Sequence, residues 1–349
     1  MTDWKEVCIS PQTGIREALR KIDEGSLQIA LVVDPSGRLL GTLTDGDVRR
    51  AILRGVSLDD VVSNVMNRRP TVASREDDRE IVLATMRQRQ IRHMPIVSAG
   101  NCVVGLETID ELQHPPVRDN LVLLMAGGLG SRLQPLTAEC PKPMLPIGNR
   151  PILETILLNF VGYGFCRFCI AVNHQADCII EHFGDGSHWG VQIQYVREAE
   201  RLGTAGALSM LPEEPREPLM VMNGDVLTKV NLGQLLDFHV DQRAEGTMCV
   251  REYEIQVPFG VIRVAGQEIL SIEEKPTQKC LVNAGVYVLS PAVLDLVPRN
   301  GAFDMTTLFE RLVASGRKTA VFPLREYWLD VGKMSDFERA NGEYPKVFG

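Results

Sequence analysis

The sequence predicts an α/β protein whose larger part is built on a mostly parallel sheet with helices on both faces. From residue 121 to the end, short apolar runs typical of buried strands alternate with segments of helical spacing. Before that point, residues 1–116 contain an internal repeat, in which Leu31 aligns with Pro95 at an offset of 64 residues. A chain of 349 residues is long enough for two domains. We therefore expect a small repeated unit followed by a larger α/β domain.

Composition narrows the classes of partner. The net charge is −8 and no basic stripe offsets it, which argues against nucleic acid as a partner. No apolar run reaches about eighteen residues, and residues 1–6 lack a signal-peptide core. We therefore expect a cytoplasmic protein that does not bind membranes.

The eight cysteines are scattered along the chain, which is not typical of a disulfide framework. Cys166, Cys169, His174 and Cys178 have a spacing that resembles a zinc site. Cysteine also serves as a small buried apolar residue, and this is the interpretation that the surrounding strand and helix patterns favour.

Each copy of the repeat predicts the same order of elements. Residues 31–41 align with 95–105 without a gap, and the apolar positions 18, 19 and 22 align with 82, 83 and 86. The pattern predicts a helix, a strand, a tight turn, a strand and a helix in each copy. The copies comprise about residues 1–62 and 63–116. Each is too small to bury its own sheet, so the two copies should pack on each other.

This half of the chain resembles a tandem pair of CBS domains, sensor modules that commonly bind adenine nucleotides between paired repeats. In that family a Gly-x-x-Thr-x-x-Asp stretch places a hydroxyl and a carboxylate on a ribose. Gly41, Thr44 and Asp47 match it, whereas the second copy has Thr108 but carries Glu111 in place of the aspartate. The resemblance implies a regulatory nucleotide at Thr44, Asp47 and Thr108. The alternative is a pair that serves packing or dimerisation without a ligand, and we expect a homo-oligomer.

Pro115 and Pro116 mark the boundary between the halves, because proline stiffens the chain and blocks continuation of a helix. Residues 117–120 are predicted to be a short linker, and residues 121–349 the second domain. Strands are predicted over residues 167–172, 192–196 and 219–222. Ligands of such sheets bind at the carboxyl ends of the strands, where Asp225 and the first loop of the domain both lie.

The first loop of the second domain has the composition of a phosphate-binding loop. An apolar run is followed by the glycine-rich residues 126–131, whose exposed N–H groups can approach an anion closely. Arg132 and Lys142 add positive charge beside the loop, as polyphosphate binding requires. The spacing matches neither the Walker A pattern nor the dinucleotide pattern G-x-G-x-x-G. A structural glycine turn with incidental basic residues is the alternative interpretation.

The second half resembles the sugar-1-phosphate nucleotidyltransferases, in which Gly-x-Gly-Thr-Arg-Leu-x-Pro-Leu-Thr precedes Pro-Lys-Pro. Serine stands at 131, where threonine is frequent, and keeps the hydroxyl. Further motifs follow in the family order: LGTAGA at 202–207, NGD at 223–225, PFG at 258–260, EEKP at 273–276, NAGVY at 283–287 and WLDVG at 328–332. Six ordered matches make chance implausible. The resemblance implies a Rossmann-like sheet and a Mg²⁺-dependent enzyme.

In this family a phosphate oxygen of a sugar 1-phosphate attacks the α-phosphorus of a nucleoside triphosphate (NTP) and releases pyrophosphate. The nucleophile is already an anion, so no general base is required, and the chain shows no plausible Ser-His-Asp or Cys-His set. The resemblance assigns Arg132 and Lys142 to catalysis and Asp225 and Asp330 to Mg²⁺. It assigns nucleotide binding to Met125, Ala126, Gly127, Gly128, Gly130, Ser131, Glu198, Glu200, Gly203 and Thr204, and sugar-phosphate binding to Gly260, Glu274, Lys275 and Asn283.

The base is predicted from the residues before Gly203, which in the family contact it. Glu198 and Glu200 supply carboxylates there, and one carboxylate can accept from both N1–H and N2–H₂ of guanine. Uracil and thymine offer a single ring N–H between two carbonyls, so GTP is favoured. UTP, dTTP and CTP are the alternatives, with both glutamates as surface charges. The combination with a CBS pair resembles bacterial guanylyltransferases that make GDP-hexose or GDP-hexosamine, including those of the legionaminic acid pathway.

A hypothesis of another class is a non-catalytic regulatory subunit that binds nucleotide-sugar and senses nucleotide. Such a protein should have lost Arg132, Lys142, Asp225 or Asp330. All four are present, which counts against this hypothesis.

Overall fold

The structure is a computed structural model that describes residues 4–24, 27–74, 76–77, 79–113, 115–299 and 301–348. The chain forms two compact units, Met1–Pro116 and Val117–Gly349. Within the described residues, no helix combines the length and the apolar character needed to cross a membrane.

The first unit contains two copies of the predicted helix–strand–strand–helix order. Its elements are β1 (Cys8–Ile9), α1 (Ile15–Glu24), β2 (Ile29–Val33), β3 (Leu39–Thr44), α2 (Asp45–Leu53), α3 (Arg79–Arg89), β4 (His93–Val97), β5 (Val103–Thr108) and α4 (Ile109–Gln113). The strand pairs β2–β3 and β4–β5 are both antiparallel, and each has a register shift at the same point of the repeat. The internal repeat of the sequence is therefore a repeat of structure.

The two copies pack on each other through a small shared core. Leu39 of the first copy and Val103 of the second are buried in one apolar cluster. The Leu39 N–H donates to Asn101 O at 2.9 Å, and Asn101 Nδ2 donates to Leu39 O at 3.0 Å. The sheet of the first copy has three strands and that of the second copy has two. Sheets this small do not bury their own faces, so this contact between the copies is expected.

The second unit begins with a strand rather than with the predicted linker. Its elements are β6 (Arg118–Met125), β7 (Pro146–Ile147), β8 (Arg150–Pro151), α5 (Ile152–Val161), β9 (Phe165–Val172), α6 (Ala176–Phe183), β10 (Gln192–Arg197), α7 (Gly203–Gly206), β11 (Leu219–Asn223), β12 (Val226–Thr228), α8 (Leu232–Gln242), β13 (Gly246–Gln256), β14 (Val261–Ala265), β15 (Glu268–Glu273), β16 (Thr277–Leu289), α9 (Met305–Ala314), β17 (Thr319–Pro323), β18 (Trp328–Asp330) and α10 (Met334–Val347). Of the predicted linker 117–120, residues 118–120 are strand. These residues are polar, so the sequence pattern does not predict a strand there. They are held in the strand by distant partners: the Arg118 N–H donates to Gly164 O, and Asn120 Nδ2 donates to Pro218 O.

The main sheet has seven strands in the order β10–β9–β6–β11–β16–β13–β17. The pairs β10–β9, β9–β6, β6–β11 and β13–β17 are parallel, and the two pairs that involve β16 are antiparallel. The prediction of a mostly parallel sheet is confirmed. The chain passes from β6 to β9 and β10 on one side and returns to β11 on the other. The carboxyl end of β6 is therefore the point where the strand order reverses, which is where open α/β sheets bind ligands.

Both faces of this sheet are covered. Val122 and Leu124 of β6 lie in one apolar cluster, and Leu121 and Leu123 lie in another on the opposite face. Side chains of a strand alternate between faces, so a strand buried on both sides needs a continuous apolar run. That run is what the sequence shows at the start of this domain, and it holds β6 rigidly below the loop that follows it.

A ribbon extends from β13 and β16 and carries the hairpin β14–β15. Ile262 pairs with Ile272, and Val264 pairs with Ile269. All four side chains are at least half exposed, from 53% to 65%. The hairpin therefore presents an apolar face that the described residues leave uncovered.

His239, on α8, is a buried titratable group that lies away from the carboxyl ends of β6 and β11. It is 1% exposed, and its ring nitrogens lie 2.8 Å from Thr247 Oγ1 and 3.1 Å from Ser290 Oγ. Burial lowers the pKa of His239 from 6.5 to about 4.

We expect His239 to make stability depend on pH. The unfolded chain takes up a proton near pH 6.5 and the folded chain only near pH 4, so unfolding is favoured as the pH falls through this window. Between pH 7 and pH 5 the free energy of unfolding should fall by about 2 kcal/mol more in the wild type than in His239→Gln. Urea unfolding at the two pH values measures this difference, and equal losses in both proteins would contradict it.

Candidate functional site

A cleft of about 360 Å³ opens where the strand order reverses. It is lined by residues that follow the carboxyl ends of β6, β10, β11 and β18, together with Lys142. The lining residues are Met125, Gly127, Gly128, Leu129, Gly130, Ser131, Arg132, Lys142, Glu198, Arg201, Gly203, Thr204, Asn223, Asp225 and Gly332. Segments far apart in the sequence therefore meet at one edge of the sheet.

The glycine-rich loop after β6 presents a row of free amide groups. The N–H groups of residues 127–132 donate to no other described residue, whereas the preceding Ala126 N–H donates to Ala171 O at 2.8 Å. Gly130 has a left-handed φ of +61°, and a Cβ there would lie 2.8 Å from Thr137 Cγ2. A side chain is therefore excluded at this turn. Adjacent free N–H groups in such a turn form a concave anion-binding surface.

A second close approach brings the loop next to Asp225. The Gly224 N–H donates to Met125 O at 2.9 Å, and a Cβ on Gly224 would lie 2.7 Å from the same oxygen. The ends of β6 and β11 can meet only because residue 224 is glycine. The carboxylate of the following residue is thereby held beside the row of amides.

Lys142 and Asp225 form an ion pair inside the cleft. Lys142 Nζ lies 2.5 Å from Asp225 Oδ2, and only 8% of the lysine side chain is exposed. A buried ammonium group requires an opposite charge, because removal from water is costly. The pair thus fixes both charges at the inner end of the cleft.

Asp330 and Arg132 complete a set of four charges. Asp330 lies opposite Val226 in the β12–β18 pair, and the Val331 N–H donates to the main-chain oxygen of Asp225 at 3.0 Å. Burial raises the pKa of Asp330, and the negative charge of Asp225 raises it further, while Lys142 and Arg132 oppose this. Two carboxylates and two cations are therefore within electrostatic reach of one another.

This donor set suits Mg²⁺. The ion prefers oxygen ligands and is commonly held by one or two carboxylates together with phosphate oxygens of a substrate. Asp225 and Asp330 are two such carboxylates at adjacent strand ends. No group of three or more His, Cys, Asp or Glu side chains arranged for a metal occurs in the described parts of the chain. A site of two carboxylates leaves the remaining ligands to phosphate and water.

The outer end of the cleft is formed by a turn that follows β10. The Glu198 carboxylate accepts from the Leu202 N–H, and Asn173 Nδ2 donates to Glu198 O at 3.0 Å and to Glu200 O at 3.4 Å. Burial raises the pKa of Glu198. The turn is therefore held at both its side-chain and main-chain groups.

The residues after this turn are held from the far side. The Thr204 N–H donates to Asp304 Oδ1 at 3.0 Å, and the Phe303 N–H donates to Leu202 O at 2.7 Å. Gly203 has a φ of +76°, and a Cβ there would lie 2.7 Å from Phe303 O. The glycine lets the chain lie flat against residues 303–304.

The first unit has its own cavity of about 440 Å³ between its two copies. Three arginines, Arg50, Arg69 and Arg92, line it together with Thr44 and Asp47. The predicted Thr-x-x-Asp stretch also begins α2: Thr44 accepts from the Asp47 N–H, and the Asp47 side chain accepts from the Thr44 N–H at 2.9 Å. This reciprocal pattern is a helix capping box.

The nucleotidyl transferase family model matches residues 121–347, which is well over half of the chain. The chain belongs to the nucleotidyl transferase family. The CBS domain model matches residues 1–54 and 62–110. Both resemblances predicted from the motifs are therefore confirmed.

Several curated proteins are similar to this nucleotidyltransferase over its second half. It is 33% identical over 229 residues to a mannose-1-phosphate guanylyltransferase of Mycobacterium tuberculosis, covering 63% of each chain. It is 31% identical over 238 residues to a UTP–glucose-1-phosphate uridylyltransferase of Synechocystis, covering 62% of this chain and 61% of the relative. The nucleotidyltransferase thus spans about 63% of the length of such relatives.

Among solved structures, HddC from Yersinia pseudotuberculosis has a TM-score of 0.51 at 23% identity, covering 64% of this chain and 99% of HddC. At this identity the likeness concerns the fold, and it confirms the predicted α/β class.

The structure brings most of the predicted nucleotide residues of the nucleotidyltransferase to the cleft. All but two of those predicted residues line it, along with Arg132, Lys142 and Asp225. Ala126 is buried beneath the loop, and Glu200 is exposed outside the lining. Asp330 is adjacent through Gly332, because a Cβ on that glycine would lie 3.6 Å from Asp330 Oδ1 and 3.8 Å from Arg132 Nη1.

The predicted sugar-phosphate residues lie on the ribbon and not in the cleft lining. A Cβ on Gly260 would lie 2.9 Å from Glu274 Oε2, so those two positions adjoin. Lys275 has a left-handed φ of +48°, which is uncommon for a residue other than glycine. Asn283 already bonds within the fold, donating to Tyr287 Oη at 2.6 Å and accepting from the Gly285 N–H at 2.9 Å.

Thr108, predicted for the CBS ligand, does not line the cavity of the first unit. It caps α4 instead, accepting from the Glu111 N–H at 3.1 Å. The alternative zinc interpretation also finds no support: Cys169 is buried, and Cys178 is exposed on α6.

Sequence reasoning did not assign roles to three polar residues near the cleft. Arg201 and Asn223 line it, and Asn173 holds the turn that carries Glu198. Asn223 is the first residue of the NGD motif and Arg201 directly precedes the LGTAGA motif, so their positions in the sequence are a usable signal. Asn173 follows β9 and carries no motif, and only its contacts in the fold identify it.

Proposed function

We propose that the protein transfers a nucleotidyl group from a nucleoside triphosphate, with GTP favoured, to a hexose or hexosamine 1-phosphate. The single observation that carries the proposal is the convergence of a free row of amides, Arg132, Lys142 and the Asp225 carboxylate in one cleft, with the Asp330 carboxylate adjacent to it. The relatives are named for guanylyl or uridylyl transfer to sugar 1-phosphates, which supports the same reaction class. The products are a nucleoside diphosphate sugar and pyrophosphate.

In the proposed reaction a phosphate oxygen of the sugar 1-phosphate forms a bond to the α-phosphorus of the triphosphate. The bond between the α-phosphorus and the bridging oxygen breaks, and pyrophosphate leaves with the electron pair. The attacking oxygen is an anion at neutral pH, so no side chain has to remove a proton. Catalysis therefore depends on alignment of two anions and on neutralisation of charge at phosphorus.

The residues of the cleft are suited to these tasks. The amides of residues 127–132 would bind the triphosphate, and Arg132 would donate to the oxygens that gain charge in the transition state. Lys142 would lie between the two anionic substrates and reduce their repulsion. Its pairing with Asp225 keeps the ammonium in position before substrate binds.

Asp225 and Asp330 would hold Mg²⁺. When bound, this ion supplies positive charge to the phosphate oxygens. The two carboxylates otherwise balance Lys142 and Arg132, so the cleft carries no large net charge without substrate.

The ribbon would supply the sugar contacts through Gly260, Glu274, Lys275 and Asn283. Lys275 is exposed, so its ammonium is free to meet a sugar phosphate. The strained left-handed backbone of this residue is of the kind found at ligand-binding positions.

A panel of substrates tests the proposed function. The purified 349-residue chain with Mg²⁺ is mixed with GTP, UTP, dTTP or CTP and with mannose, glucose or glucosamine 1-phosphate, and pyrophosphate release is measured. We expect turnover with GTP and one or more of the sugars. Turnover with UTP but not GTP would overturn the nucleotide assignment, and no turnover with any pair would favour the regulatory-subunit hypothesis.

Because the triphosphates and sugar phosphates are cytoplasmic metabolites, we propose that the enzyme acts in the cytoplasm.

We also propose that the cavity of the first unit binds a nucleotide. Thr44 and Asp47 are suited to a ribose, and the three arginines to phosphates. Arg50 pairs with Asp47, which leaves Arg69 and Arg92 as the cations without an ion pair among the described residues.

Replacing Arg69 or Arg92 by alanine should weaken the binding of ADP or ATP by about tenfold each, because one charge-assisted contact to phosphate is lost. Calorimetric titration of the variants, each made in the 349-residue chain, measures the change. Arg49→Ala, which removes an exposed arginine of α2 outside the cavity, is the matched control. Unchanged affinity in both cavity variants, or no binding by the wild type, would overturn this assignment.

A further inference from the structure

Arg201 and Glu198 place two opposite charges at the outer end of the cleft. Both line it, and they lie three residues apart on one turn. Nevertheless, no ion pair joins them, and Arg201 makes no hydrogen bond to any other residue that the structure describes. Arg201 is exposed and Glu198 is partly buried, so the guanidinium is available to a ligand that enters the cleft.

The turn fixes one member of the pair. The Leu202 N–H donates to the Glu198 carboxylate, and Asn173 Nδ2 donates to the main-chain oxygen of Glu198 at 3.0 Å. A Cβ on Gly127 would lie 3.1 Å from Glu198 Oε2, so the carboxylate reaches the first glycine of the phosphate loop. The carboxylate is therefore directed toward the phosphate loop at the edge of the cleft.

The order of hydrogen-bonding groups on guanine matches these two side chains. Along its edge guanine presents two neighbouring donors, N2–H₂ and N1–H, followed by two neighbouring acceptors, O6 and N7. A carboxylate accepts from two donors, and a guanidinium fork donates to O6 and N7 in a bidentate manner. A carboxylate and a guanidinium side by side are thus complementary to the whole edge.

Other bases do not fit this arrangement. Adenine has an acceptor at N1 and a donor at N6, which would face the carboxylate and the guanidinium with the wrong polarity. Uracil and thymine place a single donor between two acceptors, and neither offers the N7 acceptor. A mismatched base would cover a polar group without pairing it, and an unpaired covered polar group is a strong source of discrimination between ligands.

We infer that Arg201 is a specificity-determining residue that reads O6 and N7 of guanine while Glu198 reads N1–H and N2–H₂ of the same base. This inference rests on the proposed use of GTP and names the residues that select it. The sequence motifs do not include Arg201, which lies just before the LGTAGA stretch.

Two GTP analogues separate the roles of the two residues. Inosine triphosphate lacks the N2 amino group, and 7-deaza-GTP lacks the N7 acceptor. Dissociation constants of GTP and of both analogues are measured with Mg²⁺ and without sugar phosphate, so that binding is observed in the absence of transfer. The wild type should bind each analogue about tenfold more weakly than GTP.

The variants should lose one preference each. Arg201→Ala should bind 7-deaza-GTP and GTP within about twofold of each other and keep its preference against inosine triphosphate. Glu198→Gln should show the reverse, since the amide offers one acceptor where the carboxylate offers two. Arg201→Lys should resemble Arg201→Ala, because lysine cannot make the bidentate contact. Arg197→Ala is the control, since Arg197 pairs with Asp177 at 2.6 Å outside the cleft.

Equal discrimination against 7-deaza-GTP in the wild type and in Arg201→Ala would overturn the role of Arg201. Loss of both preferences in each variant would overturn the division of roles, and thermal unfolding would then identify a collapsed turn. Failure of the proposed function has a different signature. In that case the wild type would bind GTP no better than UTP, or would bind GTP without releasing pyrophosphate in the presence of any sugar phosphate.

Discussion

Replacing Arg132 by alanine is expected to lower the rate of nucleotidyl transfer by about three orders of magnitude while leaving the fold intact. The guanidinium lies beside the row of free amides and beside Asp330, and it makes no ion pair or hydrogen bond within the described residues. Its charge is therefore available to the oxygens around the reacting phosphorus. Removal of one such preorganised donor typically costs about 10²–10³ in rate, and a phosphoryl-transfer arginine can contribute more.

The measurement is the rate of pyrophosphate release at saturating GTP and sugar 1-phosphate, together with the midpoint of thermal unfolding. We expect the rate constant to fall far more than the affinity for GTP changes, because the contact strengthens only in the transition state. Arg216→Ala is the matched control, since Arg216 is an exposed arginine outside the cleft. A loss of less than about tenfold in Arg132→Ala would remove this residue from the catalytic set.

Replacing Asp225 by asparagine is expected to abolish Mg²⁺-dependent turnover, with a loss of about 10³-fold or more. Asparagine keeps the size of the side chain but removes the negative charge. Two functions are lost together, since the carboxylate is a proposed metal ligand and is also the counter-charge of Lys142. Loss of the counter-charge leaves the buried ammonium of Lys142 unpaired and should lower the free energy of unfolding by roughly a few kcal/mol.

Direct metal binding separates the two losses. Mn²⁺, used as a paramagnetic probe, should bind the wild type in the presence of GTP and should bind Asp225→Asn much more weakly. Lys142→Met lacks the ammonium but keeps the carboxylate, so it should retain Mn²⁺ while losing turnover. Asp241→Asn, on an exposed face of α8, is the control for charge alone. Wild-type Mn²⁺ affinity in Asp225→Asn would place the metal elsewhere.

Much of the fold could be predicted because its strongest signals are local. The run over residues 121–124 is apolar at every position because both faces of β6 are covered. The helix α1 was readable from its spacing, since Ile15, Ala18 and Ile22 all face the core. The start of β6 was not readable, because the polar residues 118–120 are held in the strand by partners far away in the sequence.

The candidate site divides in the same way. Gly130 and Gly224 belong to motifs that could be read from the sequence. The structure gives the physical reason for glycine at both positions, since a side chain at either one would meet a neighbouring atom. The separation of Glu198 from Glu200 was not recognisable, since two carboxylates in one short run are equivalent until the turn directs one of them into the cleft. Arg201 could not be assigned from the sequence for a related reason, since only the fold shows that its side chain lines the cleft.

The positions of the ribbon residues in the fold also could not be predicted from their motif. Glu274 and Lys275 belong to a clear sequence signature, yet they lie on a two-stranded extension and not in the cleft lining. A motif gives the order of residues along the chain and does not specify how far apart those residues lie in the fold.

We propose that the cleft directs attack at the α-phosphorus of the triphosphate. The most direct test follows two labels in parallel, using [α-³²P]GTP and [γ-³²P]GTP with Mg²⁺ and the sugar 1-phosphate that turns over in the panel. We predict that the α-label appears in a nucleoside diphosphate sugar and the γ-label in pyrophosphate, in equal amounts. Release of the γ-label as inorganic phosphate, with the α-label remaining in a free nucleotide, would contradict the claim.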